Sequence, residues 1–103
     1  MDEDLRHVVI YEAALEERDD LHELLAEGLG FPNHYGRNLD ALNDCLSEVS
    51  DPSLVSVVRM RGWDDELPLA GYVDKACVCL MRAARENPAL DVEIVFEQDD
   101  ESY

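Results

Sequence analysis

Basic residues are scarce in this chain. Its 103 residues include 8 lysines and arginines against 25 aspartates and glutamates, so the formal net charge is −17 at pH 7. A chain of that charge repels nucleic acids and anionic membranes, which excludes both as expected partners. The natural counterpart of such a surface is a basic protein.

Long apolar runs are also missing. No segment approaches the ~18 consecutive apolar residues of a membrane span. The first residues, MDEDLRH, have neither the basic start nor the following apolar stretch of a secretory signal. We therefore expect a soluble, cytoplasmic protein. Because copies of so acidic a chain repel each other, we also expect a monomer in the free state.

Cysteine is rare, and the count is odd: Cys45, Cys77 and Cys79. Two residues apart on a helix, Cys77 and Cys79 point in different directions, so we expect all three thiols to be reduced and mostly buried. A zinc site requires four convergent ligands. The histidines show no ligand spacing with the cysteines, and the sequence predicts neither a metal nor a cofactor. The three histidines are His7, His22 and His34.

Apolar residues, in contrast, are plentiful enough for a core. They make up 47% of the sequence, and a chain of this length buries roughly two thirds of its unfolded surface on folding. No repeat or linker divides the chain. We expect one domain over residues 1–103, with a loose acidic tail at residues 98–103.

Three short apolar segments predict β-strands, namely His7–Tyr11, Leu54–Val58 and Val92–Phe96. The first segment lacks polar alternation, which is typical of a strand that is buried on both faces or placed centrally in its sheet. The intervals between the strands are long enough for helical crossovers, which implies parallel pairing.

In the intervals between these strands, apolar residues recur at the spacing of α-helices. Asp20 stands at the start of a capping box, before a helix that ends at Gly30. Asn38 is the expected N-cap of a second helix, whose apolar stripe runs to Val49. The other two segments are a short helical or irregular piece around Trp63–Leu69 and a helix over Val73–Ala84.

The predicted element order is β-α-α-β-α-α-β. Right-handed connections repeated in one direction place the helices on one face of the sheet and give the strand order 1-2-3. The sequence therefore predicts an α/β, two-layer fold with a three-stranded parallel sheet and about four helices.

The second predicted helix has a polar face at positions i, i+3, i+4 and i+7, formed by Asp40, Asn43, Asp44 and Ser47. A solvated face explains this set, and Asp40 in the first turn complements the helix dipole. Yet Asp40 and Asp44 are like charges one turn apart, which destabilises a helix. The preceding loop adds two rings, His34 and Tyr35, which we expect to be exposed. Rings beside a focused charge are typical of a protein-binding hot spot.

The segment Tyr35–Leu46, YGRNLDALNDCL, closely resembles the inhibitory loop and second helix of the barstar family of intracellular ribonuclease inhibitors. The resemblance implies a protein that is not an enzyme and that plugs the active site of a secreted, guanyl-preferring microbial ribonuclease in a 1:1 complex. It implies that Asp44 lies where a substrate phosphate would bind and that Asp40 makes a second contact. The positions that border this contact are Gly36, Asn38, Leu39 and Ser47.

The chain departs from the family pattern at three places. Asn43 stands where the family has a tryptophan, and His34 replaces the first of two loop tyrosines beside the retained Tyr35. A glutamate contact on the last helix has no clear equivalent, since Ala83 or Ala84 occupies that position and Glu86 is only nearby. The partner's surface can therefore differ from that of the family's usual target.

Three other functions remain open at this stage. A barstar-like immunity or binding module could use the same helix against a toxin that is not a ribonuclease, or against another basic protein. A nucleic-acid mimic would require carboxylates in two rows at phosphate intervals, which the sequence does not show. A hydrolase using Asp40 and Asp44 as general acid and base would require a concave, partly desolvated site.

Overall fold

The computed structural model describes residues 5–61 and 69–98. Within these ranges the elements are β1 (Arg6–Tyr11), a 3-10 turn (Glu12–Ala14), α1 (Arg18–Leu29), α2 (Leu39–Ser47), β2 (Ser53–Arg61), α3 (Ala70–Glu86) and β3 (Leu90–Gln98). The predicted strands and the three longer predicted helices are all present, each within a few residues of its expected bounds.

The three strands form one parallel sheet in the order β1-β2-β3, as predicted. Val8 pairs with Val55 and Val55 with Val92, so one face of the sheet presents a continuous apolar row. This face and the three helices enclose the core, whose fully buried members include Ile10, Leu25, Leu42, Leu46, Val55 and Leu80.

The expectation that the first strand is central or buried on both faces is wrong. β1 lies at an edge of the sheet and β2 at its centre, because both crossovers run in the same direction across the sheet. Val8 and Ile10 point into the core, whereas His7 and Tyr11 are exposed on the other side. A β-branched run thus marked a strand correctly but not its place in the sheet.

The prediction of about four helices is corrected to three α-helices within residues 5–61 and 69–98. Most of the short piece expected around Trp63–Leu69 lies outside the described residues; Leu69 itself is the N-cap of α3. A 3-10 turn at Glu12–Ala14, directly after β1, had no clear signal in the sequence. Of the expected loose tail, residues 99–103 lie outside the described residues, and Gln98 ends β3.

The first helix begins earlier than its predicted capping box. Glu17 is the N-cap, and Asp20 is the third helical residue, whose carboxylate accepts hydrogen bonds from the backbone N–H groups of Glu16 and Glu17 at 2.9 and 3.1 Å. Asp20 therefore fills the reciprocal position of the box rather than its first. The predicted end is confirmed: Gly30 adopts a left-handed backbone with φ of 75°.

All three cysteines are free thiols. Cys77 is buried, while Cys45 and Cys79 are half-buried, so the expectation of mostly buried thiols holds fully for one of them. Burial raises the pKa of all three. Among the residues that the structure describes, no helix is both long and apolar enough to cross a bilayer.

Candidate protein interface

The junction between the loop and α2 is fixed by Asn38. Its side-chain Oδ1 accepts a hydrogen bond from the backbone N–H of Ala41 at 2.8 Å, which confirms the predicted N-cap. Its Nδ2 donates to the carbonyl of Gly36 at 3.4 Å. One side chain thus satisfies an otherwise unpaired N–H of the first turn and ties the loop to the helix.

The two faces of α2 differ as the spacing predicted. Leu42 and Leu46 are fully buried and Leu39 is half-buried, which fixes the rotation of the helix against the core. All four residues of the predicted polar face are exposed, namely Asp40, Asn43, Asp44 and Ser47. The helix therefore holds two carboxylates toward solvent on a rigid support.

Asp40 and Asp44 have no cationic partner within the described ranges, where the five salt bridges all involve other carboxylates. The hydroxyl of Ser47 donates to the backbone carbonyl of Asp44 at 2.7 Å and leaves the Asp44 side chain unengaged. An exposed carboxylate on an ordered helix, without a partner of its own, is available to accept hydrogen bonds from another molecule.

The expectation of two exposed rings in the loop is half wrong. His34 is exposed, but Tyr35 is only 9% exposed and packs against Phe31 with ring centroids 4.8 Å apart. The Tyr35 hydroxyl lies 2.6 Å from Nδ1 of His22 on α1, a partner that lets the whole ring enter the core. Tyr35 thus supports the loop from beneath instead of presenting its ring.

His22 links three elements at the base of this loop. Its ring is completely buried, with Nδ1 at 2.6 Å from the Tyr35 hydroxyl and Nε2 at 2.6 Å from the Tyr72 hydroxyl on α3. The guanidinium of Arg18 lies 4.7 Å from the centre of the Tyr72 ring. Sequence reasoning missed both His22 and Tyr72. The signal was weak: His22 lies three residues before Leu25 and so shares the apolar side of α1.

Burial lowers the pKa of His22 from its ordinary value of 6.5. The charge of Asp19 raises this pKa, whereas the charge of Arg37 lowers it further. The folded protein therefore keeps this ring neutral at pH values where the unfolded chain begins to protonate it. Neutral imidazole has one donor and one acceptor nitrogen, which matches the two tyrosine hydroxyls.

We expect His22 to contribute a decrease in the free energy of unfolding as the pH falls below about 6.5. The unfolded chain then binds a proton at His22 that the folded chain does not, and linkage makes folding progressively less favourable until the lowered pKa is passed. Urea unfolding at about pH 7.5 and about pH 5.5 measures this loss. His22→Gln should reduce it, whereas His34→Gln, at an exposed ring, should not. Equal losses in wild type and His22→Gln would contradict the assignment.

Arg37 attaches the loop to α1 from outside. It has a left-handed backbone with φ of 58°, uncommon for a residue with a side chain. Its guanidinium lies 3.7 Å from Asp19 and 3.4 Å from Glu23, both exposed carboxylates on α1. Exposed ion pairs stabilise only weakly, so the buried Tyr35–His22 contact is the stronger constraint on the loop.

An open groove of about 490 Å³ lies on the surface between α2 and α3, beside Asp44. We call it the α2–α3 groove; its lining residues are Asn43, Asp44, Ser47, Arg82, Ala83, Glu86, Asn87 and Pro88. Of the three positions considered for the missing glutamate, Ala83 is buried at the groove, Ala84 packs against the core, and Glu86 is exposed in the lining. A carboxylate is thus present on this side, two or three residues after its expected position.

Comparison with known proteins agrees with this geometry. A family model described as "Barstar (barnase inhibitor)" matches residues 5–98. The chain is also similar to a protein of Bacillus subtilis (strain 168) named "Putative ribonuclease inhibitor YrdF", with 34% identity over 82 residues. That alignment covers 80% of this chain and 89% of the relative. The family match spans all three strands, all three helices and the polar face of α2.

Proposed function

The chain belongs to the barstar family, and we propose that it inhibits a secreted, guanyl-preferring microbial ribonuclease by inserting α2 and the preceding loop into the active-site cleft. The observation that carries this proposal is Asp44: an exposed carboxylate without a cationic partner among the described residues, on a helix that is capped at one end and buried on its other face.

The mechanism is mimicry of a phosphate. A cleft that cleaves RNA presents convergent cations, which stabilise the charge that develops on the reacting phosphorus centre. The Asp44 carboxylate can accept the same charge-assisted hydrogen bonds, including bidentate ones from arginine. It contains no scissile bond, so the cleft is occupied without reaction. The protein acts by binding and is not itself a catalyst.

The remaining contacts surround Asp44. Asp40 lies one turn earlier on the same face and supplies a second carboxylate. The other residues that we expect against the ribonuclease are His34, Gly36, Asn38, Leu39, Asn43 and Ser47, all of them exposed or half-buried. Tyr35 contributes from beneath, since its contact with His22 holds the loop in place before the partner arrives. Such preorganisation raises affinity by reducing the ordering that binding requires.

The net charge of −17 supports the same partner. An acidic inhibitor is attracted over long range to a basic cleft, which increases the association rate at low ionic strength. We expect a monomer that forms a 1:1 complex. We also expect it to act in the cytoplasm, where reduced cysteines are normal and where the producing cell needs protection from a ribonuclease destined for export.

A second candidate is a barstar-like immunity module for a toxin that is not a ribonuclease. Two residues favour it: Asn43 and His34 replace large aromatic side chains of the family, so the surface beside Asp44 is smaller and more polar. The same helix would then bind another basic protein. The two candidates share Asp44 and differ only in the partner.

The test is RNA cleavage by a panel of secreted guanyl-preferring ribonucleases, including any made by the source organism, titrated with this protein. We expect cleavage by at least one member to fall linearly and to stop at one equivalent of inhibitor. If the folded protein inhibits no member, the ribonuclease proposal fails, and capture of partners from the source cells becomes the test of the second candidate.

A further inference from the structure

The outer edge of β1 has unpaired backbone groups. Among the described strands, β1 pairs only with β2. The N–H of Arg6 donates to the carbonyl of Pro52 at 3.0 Å, which directs the backbone of Arg6 toward β2. Bonded residues alternate along a parallel strand, so Val8 and Ile10 also face β2. The backbone groups of Val9, between them, therefore point outward from the sheet.

The edge of β1 also lacks the usual protection against pairing with other chains, which is a charged side chain, a proline or a bulge. Residues 8–11 have the sequence VVIY, and their register with β2 is continuous. The opposite edge strand, β3, carries three exposed carboxylates, Asp91, Glu93 and Glu97. β1 is therefore the edge at which a further strand can pair.

An open groove of about 410 Å³ lies beside this edge, between β1 and α1. We call it the β1–α1 groove; its lining residues are Val9, Tyr11, Ala14, Leu15, Asp20, Glu23, Leu24 and Glu27. Leu24 and Tyr11 are 39% and 53% exposed, although both have large apolar side chains. A strand added to β1 would lie about 4.8 Å from it and would direct alternate side chains into this groove.

The α1 side of the β1–α1 groove is acidic. Glu23 and Glu27 are exposed there, and Glu27 has no ion-pair partner in the described ranges. Glu23 lies 3.4 Å from Arg37, which is also exposed, and such a pair is weak. The described residues of the lining include no lysine or arginine. An extended segment that carries basic residues among apolar ones matches both the charge and the apolar surface.

The chain itself does not supply such a segment. Residues 1–4, 62–68 and 99–103, which lie outside the described ranges, contain no lysine or arginine. A second copy is disfavoured because each copy carries a formal net charge of −17, and copies repel each other. The segment that fits therefore belongs to a different protein, and the same charge attracts it.

We propose that the free edge of β1 and the β1–α1 groove bind an extended basic segment of a partner protein as a fourth strand of the sheet. The backbone of β1 supplies the hydrogen bonds, the apolar lining holds alternate side chains, and Glu27 pairs with a lysine or arginine. None of the residues assigned to the ribonuclease contact takes part. The inference therefore goes beyond the proposed function and does not depend on it.

The probes are heptapeptides with blocked ends in which lysine alternates with valine, leucine or phenylalanine. Binding is measured by NMR on the complete, ¹⁵N-labelled chain. We expect at least one peptide to bind saturably and to shift the backbone amide signals of Val9 and Tyr11. Exchange of the Val9 amide hydrogen with solvent should become about ten-fold slower, because this hydrogen is bonded only in the complex.

Three substitutions separate the parts of the surface. Val9→Pro removes an outward N–H without removing a bond to β2, and it should weaken peptide binding about ten-fold. Leu24→Lys should weaken it by a similar factor, because it places a cation in the apolar lining. Glu27→Gln should weaken it about two- to five-fold. The matched control is Glu86→Gln, at an exposed carboxylate on α3 outside this groove, which should change it less than about two-fold.

The outcomes separate a fourth strand from its alternatives. Saturable binding with shifts centred on β1, weakened by Val9→Pro and Leu24→Lys, supports the proposal. Shifts confined to other elements, or equal losses for Glu27→Gln and Glu86→Gln, overturn it, since an acidic chain then attracts a cationic peptide without a defined site. Absence of binding by every peptide also overturns it.

Two further measurements complete the test. Sedimentation that shows dimers of the wild-type chain, abolished by Val9→Pro, would overturn the proposal because a second copy would occupy the edge. Ribonuclease inhibition should be the same for wild type and Leu24→Lys, so a failure here is distinguishable from a failure of the proposed function. Thermal melts show whether each variant is folded. If Val9→Pro is not, Leu24→Lys, changed at an exposed residue, decides the result.

Discussion

Replacing Glu12 with alanine should lower the free energy of unfolding by about 3–5 kcal/mol. Glu12 follows β1 in the 3-10 turn and is 4% exposed. Its carboxylate accepts two hydrogen bonds from Arg59 on β2, with Nε to Oε1 at 3.1 Å and Nη2 to Oε2 at 3.0 Å. These bonds raise the pKa of Arg59 above its ordinary value. Removing the carboxylate leaves that guanidinium largely buried without its main partner.

The effect should depend on which partner is lost. Asp74 on α3 also accepts a hydrogen bond from Arg59, but its side chain is 65% exposed, so Asp74→Ala should lower stability by less than about 1 kcal/mol. The double variant Glu12→Leu with Arg59→Met should recover much of the loss, because it removes both charges. Chemical denaturation of the three variants measures these differences. Equal losses for Glu12→Ala and Asp74→Ala would contradict the assigned role of burial.

Replacing Asp44 with alanine should weaken binding to the ribonuclease by about 2–5 kcal/mol. The cleft's cations would remain desolvated in the complex, and no carboxylate would compensate them. The loss should come chiefly from faster dissociation, because the long-range attraction of so acidic a chain changes little on removal of one charge. The variant should fold normally, since Asp44 is exposed and its side chain has no partner among the described residues.

Two further substitutions show whether the effect is local. Asp40→Ala, one turn away on the same face, should cost less than Asp44→Ala. Asp91→Ala, an exposed carboxylate on β3, removes the same charge outside α2 and its preceding loop and should leave the dissociation rate unchanged. Dissociation rates from surface-immobilised ribonuclease provide the comparison. A loss below about 0.5 kcal/mol at Asp44 would remove phosphate mimicry as the mechanism, even if the complex still formed.

The exposed face of α2 could be predicted because its determinants are local. Asn38 as N-cap and the spacing of Leu42 and Leu46 fix where the helix begins and which side it buries. The carboxylates on the opposite side then follow from the period of the helix alone. The same reasoning placed three strands in the correct order, since crossover length and handedness leave few alternatives.

Contacts between distant parts of the chain could not be predicted in this way. Tyr35 was expected to be exposed because a loop tyrosine usually is, yet its hydroxyl pairs with His22, 13 positions earlier in the chain. Arg59 and Glu12 are 47 positions apart, and nothing in either segment indicates the other. Such pairs depend on how the helices pack on the sheet. The burial of a polar residue is therefore explained only when its hydrogen-bond partner is known from the structure.

The α2–α3 groove could be predicted only in part. Asn43 and Glu86 were recognised from the sequence as departures, one at a helix position that usually carries tryptophan and the other near a missing glutamate. Their combination in one concavity depends on the packing of α2 against α3 and on the bonds from Asn87 to the end of α2. Substitutions that look unrelated in sequence thus meet on one surface.

The most direct test of the central claim is competition at the ribonuclease active site. The dissociation constant of the complex is measured at increasing concentrations of a nucleoside 3′-monophosphate, which occupies the phosphate position of the cleft. If Asp44 takes the place of that phosphate, the apparent dissociation constant should increase in proportion to nucleotide concentration once the cleft is saturated. A dissociation constant that does not change with nucleotide would show that the protein binds elsewhere and would contradict the proposed mechanism.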